Sequence, residues 1–390
     1  MGHHHDYYEM KEHYSLSQYE NSFPESGFSI CNIPFSSPKT DMLPTKEECQ
    51  HTTQDSYHLL PDNQVEENQR FVYPVFINHQ QTGSDRVIIL LHGLNERDWD
   101  KYLPWARSLH MQTQQPVILF PISFHVNRSP DAWKDPRLMA GLAKQRMQKN
   151  KEIQDSTFLN AAISERLQML PKRFYTSGLQ TYYDLEELIG QLKSGNHPLL
   201  GKKSQVNFFG YSIGALLTQI LLMANPKNML KESKAFLFCG GASFDRMRGV
   251  SRFILDSAAF DTLRSYFTHL DDYLSSDGQL KRLIKKMDPG IYFRSMIDAL
   301  GLGEYRKKRM GDLAKQLSII TLEKDQVIPP EAVKKTFEGL GTGLKKLVGV
   351  MDLPYSYSHE NVFPPNLKDH QRDVDEAFEK IFARAAHHLQ

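Results

Sequence analysis

Short runs of aliphatic and aromatic residues recur along the chain, and they alternate with longer segments whose apolar residues lie three or four positions apart. The short runs are typical of strands buried on both faces, and the longer segments are typical of amphipathic helices. Their alternation predicts an α/β fold, a mostly parallel central sheet flanked by helices. The predicted strands are Phe71–Ile77, Arg86–Leu91, Pro116–Pro121, Gln205–Phe209, Ala235–Cys239, Leu317–Leu322 and Lys345–Met351, and the predicted helices include Arg97–Met111, Phe158–Leu170, Thr181–Leu192, Ala215–Ala224 and Glu331–Leu340.

Three segments fall outside this alternation. Residues 1–70 are rich in polar side chains and contain scattered prolines and phenylalanines. This composition predicts an N-terminal extension, partly extended against the core and partly disordered, with the sheet beginning at Phe71 and one domain over 71–390. Residues 122–175 and 243–312 are longer than a simple connection requires and contain helical patterns, so we expect two insertions in that domain.

The segment Gly210–Gly214 reads Gly-Tyr-Ser-Ile-Gly and joins a predicted strand to a predicted helix. A strand that turns at once into a helix needs small residues beside the turn, and Gly210 and Gly214 provide them. The hydroxyl group of Ser212 then lies above the sheet edge, near helix N–H groups that favour negative charge. The same residues would also suit a tight turn in which Ser212 merely caps the helix.

Two later loops carry a carboxylate and an imidazole, the groups that a serine nucleophile requires. Asp325 follows a predicted strand, with Glu323 as a competitor on the same side and Asp245 as a lesser alternative. His359 follows the last predicted strand, and His370 is the weaker alternative among the 16 histidines. Histidine can take and return the serine proton near neutral pH, and a carboxylate fixes the tautomer of its ring.

The predicted strand Arg86–Leu91 runs directly into His92 and Gly93, well before Gly-x-Ser-x-Gly in the chain. A His-Gly loop, then the serine, the acid and the histidine in this order resemble the motifs of the α/β-hydrolases. The resemblance covers about residues 71–390 and implies the α/β-hydrolase fold. It also implies an oxyanion hole formed by the N–H groups of Leu94 and Ile213.

The resemblance further implies that residues 243–312 form a helical cap that shapes the active site and excludes water on closing. Apolar side chains at Leu94, Phe124, Tyr211 and Tyr357 are predicted to line an acyl pocket. Because Leu94 follows the His-Gly pair, the chain lacks the His-Gly-Gly-Gly run of hormone-sensitive-lipase-like esterases. No subfamily is therefore indicated.

Composition narrows the function classes. The net charge of +1, without a basic stripe, argues against nucleic-acid binding. No apolar run is long enough to span a membrane and no signal-peptide pattern is present, which predicts a cytoplasmic protein. The sequence does not distinguish an expression tag from native sequence at His3–His5.

No Cys-x-x-Cys, P-loop or dinucleotide motif occurs, so neither a metal nor a cofactor is predicted. Of the three cysteines, Cys239 is interpreted as a small buried apolar residue, and a disulfide between Cys31 and Cys49 is a minor alternative.

We therefore expect a serine hydrolase that cleaves a small-molecule carboxylic ester or thioester through an acyl-enzyme intermediate. Ser212 would be the nucleophile, His359 the base and Asp325 the residue that orients it. An acyltransferase or a peptidase with the same three residues is the first alternative. A non-catalytic binding module that reuses the fold is the second.

Overall fold

The computed structural model describes residues 2–49, 60–79, 84–285, 289–297 and 299–390. These residues form a mixed sheet flanked by helices, which confirms the predicted α/β class. The strands are β1 (Glu20–Phe23), β2 (Phe28–Ser36), β3 (Arg70–Asn78), β4 (Arg86–Leu91), β5 (Val117–Phe120), β6 (Gln205–Tyr211), β7 (Ala235–Phe238), β8 (Leu317–Leu322) and β9 (Val348–Met351).

The strand order across the sheet is β1-β2-β3-β5-β4-β6-β7-β8-β9. Strands β4 to β9 run parallel to one another, while β1, β2 and β3 pair antiparallel at one side. Because β4 and β6 are central neighbours in parallel register, their carboxyl ends lie side by side. The loops that follow these two strands therefore meet at one edge of the sheet.

Helices occupy both faces of the sheet and the insertions. They are α1 (His3–His13), α2 (Lys46–Cys49), α3 (Glu66–Gln69), α4 (Tyr102–Thr113), α5 (Pro136–Lys149), α6 (Ala161–Met169), α7 (Lys172–Ser194), α8 (Ile213–Ala224), α9 (Ser257–Thr268), α10 (Leu270–Ser276), α11 (Gly278–Lys285), α12 (Gly290–Ile297), α13 (Ala299–Leu313), α14 (Pro330–Thr336), α15 (Leu344–Leu347) and α16 (Gln371–Leu389). No helix within the described ranges has the length and apolar character needed to cross a membrane.

The alternation of side chains along β4 divides the core into two layers. Val87, Ile89 and Leu91 face the layer that contains α7, α8 and the second insertion. Ile88 and Leu90 face the opposite layer, which contains α4 and α16. All five side chains are fully buried, as expected for a parallel strand covered by helices on both sides.

The sheet does not begin at Phe71, as the sequence pattern predicts. Strands β1 and β2 lie within the N-terminal seventy residues, and β2 pairs with β3 along its whole length. Their formation is explained by the apolar residues of β2, which the sheet buries together with Phe71 and Tyr73 of β3. The predicted extension is thus ordered sheet over Glu20–Phe23 and Phe28–Ser36, while residues 50–59 lie outside the described ranges.

The first helix packs against the last one. His3 is buried, stacks on Phe378 with ring centroids 4.4 Å apart, and donates a hydrogen bond from Nε2 to the carbonyl oxygen of Phe363 at 3.1 Å. His3 therefore has a structural role in this fold. Cys31 is a free thiol, so the considered disulfide with Cys49 is wrong.

Candidate active site

The turn between β6 and α8 is as tight as the sequence predicts. Ser212 occupies it with φ 54° and ψ −118°, a conformation that is costly for a residue with a side chain. A Cβ atom on Gly210 would lie 2.8 Å from Cα of Ala215, and one on Gly214 would lie 2.3 Å from the carbonyl oxygen of Leu91. Only glycine fits at these two positions, and their absent side chains allow α8 to start directly beneath Ser212.

Three of the predicted site residues meet above this turn. His359 Nε2 lies 2.7 Å from Ser212 Oγ, and His359 Nδ1 lies 2.8 Å from Asp325 Oδ2. A carboxylate can only accept, so Nδ1 carries the proton and Nε2 is left to accept from the serine hydroxyl. All three residues are buried. The arrangement is poised to remove the proton from Ser212.

The carboxylate of Asp325 is itself fixed by the backbone. Its Oδ1 atom accepts hydrogen bonds from the N–H groups of Val327 at 2.9 Å and Ile328 at 2.8 Å. The other oxygen is thereby directed at His359. The Val-Ile-Pro turn after β8 thus orients Asp325 through the N–H groups of Val327 and Ile328.

The alternatives considered from the sequence lie elsewhere. Glu323 is exposed, and Asp245 pairs with Arg246 and Arg306. His370 is half-exposed and bonded to Asp373 at the start of α16. Of the candidate acids and bases, only Asp325 and His359 are hydrogen-bonded in series with Ser212.

Tyr211, next to the serine, has a role that sequence reasoning missed. Its hydroxyl group donates a hydrogen bond to the backbone carbonyl of His359, and its ring stacks on the imidazole with centroids 5.6 Å apart and planes 20° apart. The alternation of side chains along β6 could have revealed this, because it places Tyr211 on the same face of the sheet as Phe209, away from α8. Tyr211 therefore positions His359 rather than lining an apolar pocket.

The loop after β4 is braced by its own histidine. His92 donates from Nδ1 to the carbonyl oxygen of Gly93 at 2.7 Å, and its Nε2 accepts from the N–H of Ile122 at 2.9 Å. The N–H of Gly93 donates to the hydroxyl of Tyr102 at 3.0 Å, and this hydroxyl donates to Glu96 Oε1 at 2.6 Å. These bonds fix the loop to β5 and α4 and leave the next residue, Leu94, exposed to the site.

The N–H groups of Leu94 and Ile213 form no backbone or side-chain hydrogen bond with any described residue. Ile213 is the first residue of α8, where a helix leaves N–H groups without an internal acceptor. Both residues line the same cavity. Both N–H groups are therefore unused within the described residues, and Ile213 directly follows Ser212 in the chain.

That cavity is mostly apolar and measures about 640 Å³ including its opening to solvent. Besides Leu94 and Ile213, its wall includes Phe124 from the loop after β5, and Phe293 and Ile297 from α12. The second insertion therefore contributes to the wall of this cavity, which reaches Ile213, the residue after Ser212. An acyl group of an ester would find an apolar environment here.

Of the four residues predicted to line an acyl pocket, Leu94 and Phe124 line this cavity, whereas Tyr211 and Tyr357 do not. Tyr211 lies in the opposite core layer. The hydroxyl of Tyr357 accepts from the N–H of Lys324 at 3.0 Å and donates to Asp352 at 2.9 Å. Both rings are held by hydrogen bonds outside the wall of this cavity.

Burial of His92 has a consequence for stability. Desolvation lowers the pKa of His92 to about 3, whereas an unfolded chain has a histidine pKa of about 6.5. Below about pH 6.5, His92 is therefore protonated in the unfolded state but remains neutral in the folded state. We therefore expect the free energy of unfolding to fall as pH decreases from 6.5, by about 1.4 kcal/mol per pH unit for each such histidine.

Urea unfolding at pH 7.5, 6.5 and 5.5 would measure this dependence. His92→Gln keeps an acceptor for the N–H of Ile122, and we expect it to reduce the slope by about one proton. Arg372→Gln, at an exposed arginine that stays charged over this pH range, is the control and should leave the slope unchanged. An unaltered slope in His92→Gln would contradict the assignment.

Among the described residues, one group could contribute metal ligands together: His5, Asp6 and Glu9 on α1, whose ligand atoms lie within 4.8 Å of one another. Asp6 is already ion-paired with Arg107. These residues give no basis for a metal role.

The profile of the family described as "Family of unknown function (DUF6051)" matches residues 1–390. No curated protein matches the chain.

Solved structures similar to it include carboxyl esterase 2 from the fungus Tuber melanosporum, with 11% identity, a TM-score of 0.46 and coverage of 98% of this chain and 97% of that one. A bacterial heroin esterase shows 11% identity and a TM-score of 0.46, covering 98% of this chain and 88% of that one. An esterase from the archaeon Pyrobaculum calidifontis shows 13% identity and a TM-score of 0.42, covering 82% and 80%.

Proposed function

The chain belongs to the family of unknown function DUF6051, and from the geometry of its site we propose that it is a serine hydrolase with an α/β-hydrolase fold. The proposed reaction is cleavage of a carboxylic ester or thioester through an acyl-enzyme intermediate. The observation that carries the proposal is the continuous hydrogen-bonded series Ser212–His359–Asp325, with separations of 2.7 and 2.8 Å. The N–H groups of Leu94 and Ile213, which donate to no described residue, are the proposed oxyanion donors.

In the first step the oxygen of Ser212 attacks the substrate carbonyl carbon while Nε2 of His359 takes the hydroxyl proton. The carbonyl oxygen becomes negatively charged and accepts hydrogen bonds from the N–H groups of Leu94 and Ile213. Loss of one such donor costs about 3–4 kcal/mol of transition-state stabilisation. Asp325 stabilises the imidazolium that forms.

His359 then returns its proton to the leaving alcohol or thiol, and the acyl group stays on Ser212. Water, deprotonated by the same imidazole, attacks the acyl-enzyme and releases the acid. We assign the apolar cavity as the site of the acyl group, because Leu94 and Ile213 form part of its wall. Residues 243–312, which supply Phe293 and Ile297 to that wall, are proposed to serve as the cap.

A fluorophosphonate probe tests the proposal, because it labels only a serine that has been activated as a nucleophile. We expect the folded wild-type protein to be labelled, with the adduct mapped to the peptide containing Ser212 by mass spectrometry. Ser212→Ala should remain unlabelled while it unfolds at a similar temperature. Folded wild-type protein that stays unlabelled would refute the proposal.

A panel of p-nitrophenyl esters of graded acyl length then measures turnover directly. Hydrolysis of at least one ester by the wild type, and none by Ser212→Ala, is the expected result. Labelling without turnover of any ester would favour acyl transfer or peptide cleavage over ester hydrolysis.

A further inference from the structure

A second pocket adjoins the loop after β4, and three cationic side chains and one carboxylate, that of Glu96, are part of its wall. Arg97, Lys134 and Arg166 line it, together with polar groups of Asn95 and Ser129. Its volume is about 390 Å³ including the open part. Three positive side chains from separate parts of the chain therefore converge beside Asn95.

This pocket shares a wall with the apolar cavity. Phe124, Ile163 and Arg166 border both spaces. Asn95, at the other end of the pocket, directly follows Leu94 in the chain. A group bound in the apolar cavity beside Ile213 would therefore lie close to Arg166.

Arg166 is the most buried of the three cations, with 4% of its surface exposed. Its guanidinium group is stacked between the rings of Phe124, at 4.3 Å, and Trp133, at 4.4 Å. Its Nε atom donates to no described residue, and Nη2 makes only an ion pair with Asp62 Oδ2 at 3.1 Å. Nε and Nη2 form the edge of the guanidinium group that binds an oxyanion in a bidentate manner.

The carboxylate of Asp62 does not neutralise this cluster. It is shared with Arg173, whose Nε donates to Oδ1 at 2.9 Å. Two buried guanidinium groups thus share one carboxylate, which leaves one positive charge in excess. Burial lowers the pKa of Arg166 to about 10, as expected for a cation that is incompletely compensated.

Neither of the other two cations forms a close ion pair with a described residue. Arg97 donates to the carbonyl oxygen of Lys134 and forms no ion pair with any described residue. Lys134 Nζ lies 3.9 Å from Asp131, whose side chain is fully exposed. An exposed ion pair of this kind contributes little.

Besides Glu96 in the wall, the carboxylates of Asp98 and Glu67 lie near Lys134, and that of Glu67 is exposed. Glu96 is occupied by Lys101 and by the hydroxyl of Tyr102. Asp98, the neighbour of Arg97 in the chain, is exposed. None of these carboxylates forms a described ion pair with Arg166, so the buried excess of positive charge is that of the group Arg166, Arg173 and Asp62.

We propose that the pocket formed by Arg97, Lys134 and Arg166 binds an anionic oxyacid group of the substrate, a carboxylate or a phosphate. This rests on the proposed function and deepens it. The preferred substrates are esters or thioesters that carry a negatively charged substituent in addition to the scissile bond.

Binding can be tested without turnover in Ser212→Ala by isothermal titration calorimetry. The probes are monomethyl glutarate, its neutral analogue dimethyl glutarate, and methyl phosphate. We expect at least one anionic probe to bind about tenfold or more tightly than the neutral diester.

Arg97→Gln and Lys134→Met, each combined with Ser212→Ala, should weaken binding of the anion about tenfold or more and leave binding of the diester unchanged. These positions are only partly buried, so both variants should fold, which circular dichroism would verify. Arg372→Gln, at an exposed arginine on α16, is the control and should change neither affinity. Tighter binding of monomethyl glutarate would identify a carboxylate as the ligand, and tighter binding of methyl phosphate would identify a phosphate.

Equal affinity for the charged and neutral probes, or an anion affinity that survives both substitutions, would overturn the proposal. This failure differs from failure of the proposed function. A hydrolase without an anion pocket would still be labelled by the fluorophosphonate probe, whereas an anion pocket in a chain without hydrolase activity would still discriminate between the titrated probes.

Discussion

His359→Gln is expected to lower kcat for ester hydrolysis by about 10⁴-fold to 10⁶-fold. In the wild type, Nε2 lies 2.7 Å from the hydroxyl of Ser212. The amide of glutamine cannot take a proton near neutral pH, so Ser212 would remain a neutral alcohol with little nucleophilicity. Residual activity would come from the N–H groups of Leu94 and Ile213 and from substrate binding.

His370→Gln is the matched control, since the sequence also allows this histidine as the base. Its ring is half-exposed and bonded to Asp373, and we expect unchanged kcat and KM. The kcat and KM of both variants would be measured at pH 7.5 with the p-nitrophenyl ester that the wild type hydrolyses fastest. A loss of less than about tenfold in His359→Gln, or a comparable loss in His370→Gln, would exclude the assigned base.

Asp325→Asn is expected to lower kcat by about 10⁴-fold with a smaller change in KM. The shape of the side chain is kept, but the amide no longer stabilises a positive imidazolium. If its NH₂ group faced His359, it would also favour the tautomer with the proton on Nε2, which cannot accept from Ser212. The backbone bonds from Val327 and Ile328 can persist to the remaining oxygen, so the variant should fold.

Glu323→Gln distinguishes the two acids that follow β8. Glu323 is exposed, and its substitution should leave kcat within about twofold of the wild-type value. A large loss in Glu323→Gln with a small loss in Asp325→Asn would reverse the assignment. Steady-state kinetics with one substrate for all variants, beside their thermal melting temperatures, supplies the comparison.

The parts of the fold that follow from local patterns could be predicted from the sequence. The aliphatic run Arg86–Leu91 matches β4 at both ends, because a strand covered on both faces contains no polar interruption. The glycines around Ser212 were equally informative, since steric exclusion of a Cβ atom is a local property of the turn. The loops after β8 and β9 followed from strand order.

Other features depend on tertiary contacts that no local pattern records. β2 contains Asn32 and Pro34, which weaken its apparent strand character, and its pairing with β3 overrides this. The helix after the His-Gly loop begins at Tyr102 rather than Arg97, since residues 93–101 form the braced loop that presents Leu94. The cationic pocket joins side chains that are distant along the chain, so spacing could not reveal it.

The antiparallel end of the sheet bears on how the protein behaves at high concentration. β1 pairs with β2 from Phe28 to Cys31, and the N–H of Asn32 donates to the carbonyl oxygen of Tyr19, so within the described residues Ile33–Ser36 have no strand partner on this side. A long open edge can recruit a strand from another molecule and start aggregation. Pro34 lies in this open part and has no N–H group to donate. Pro34→Val would restore a backbone N–H group at this edge, and a strand of another molecule could then pair with it.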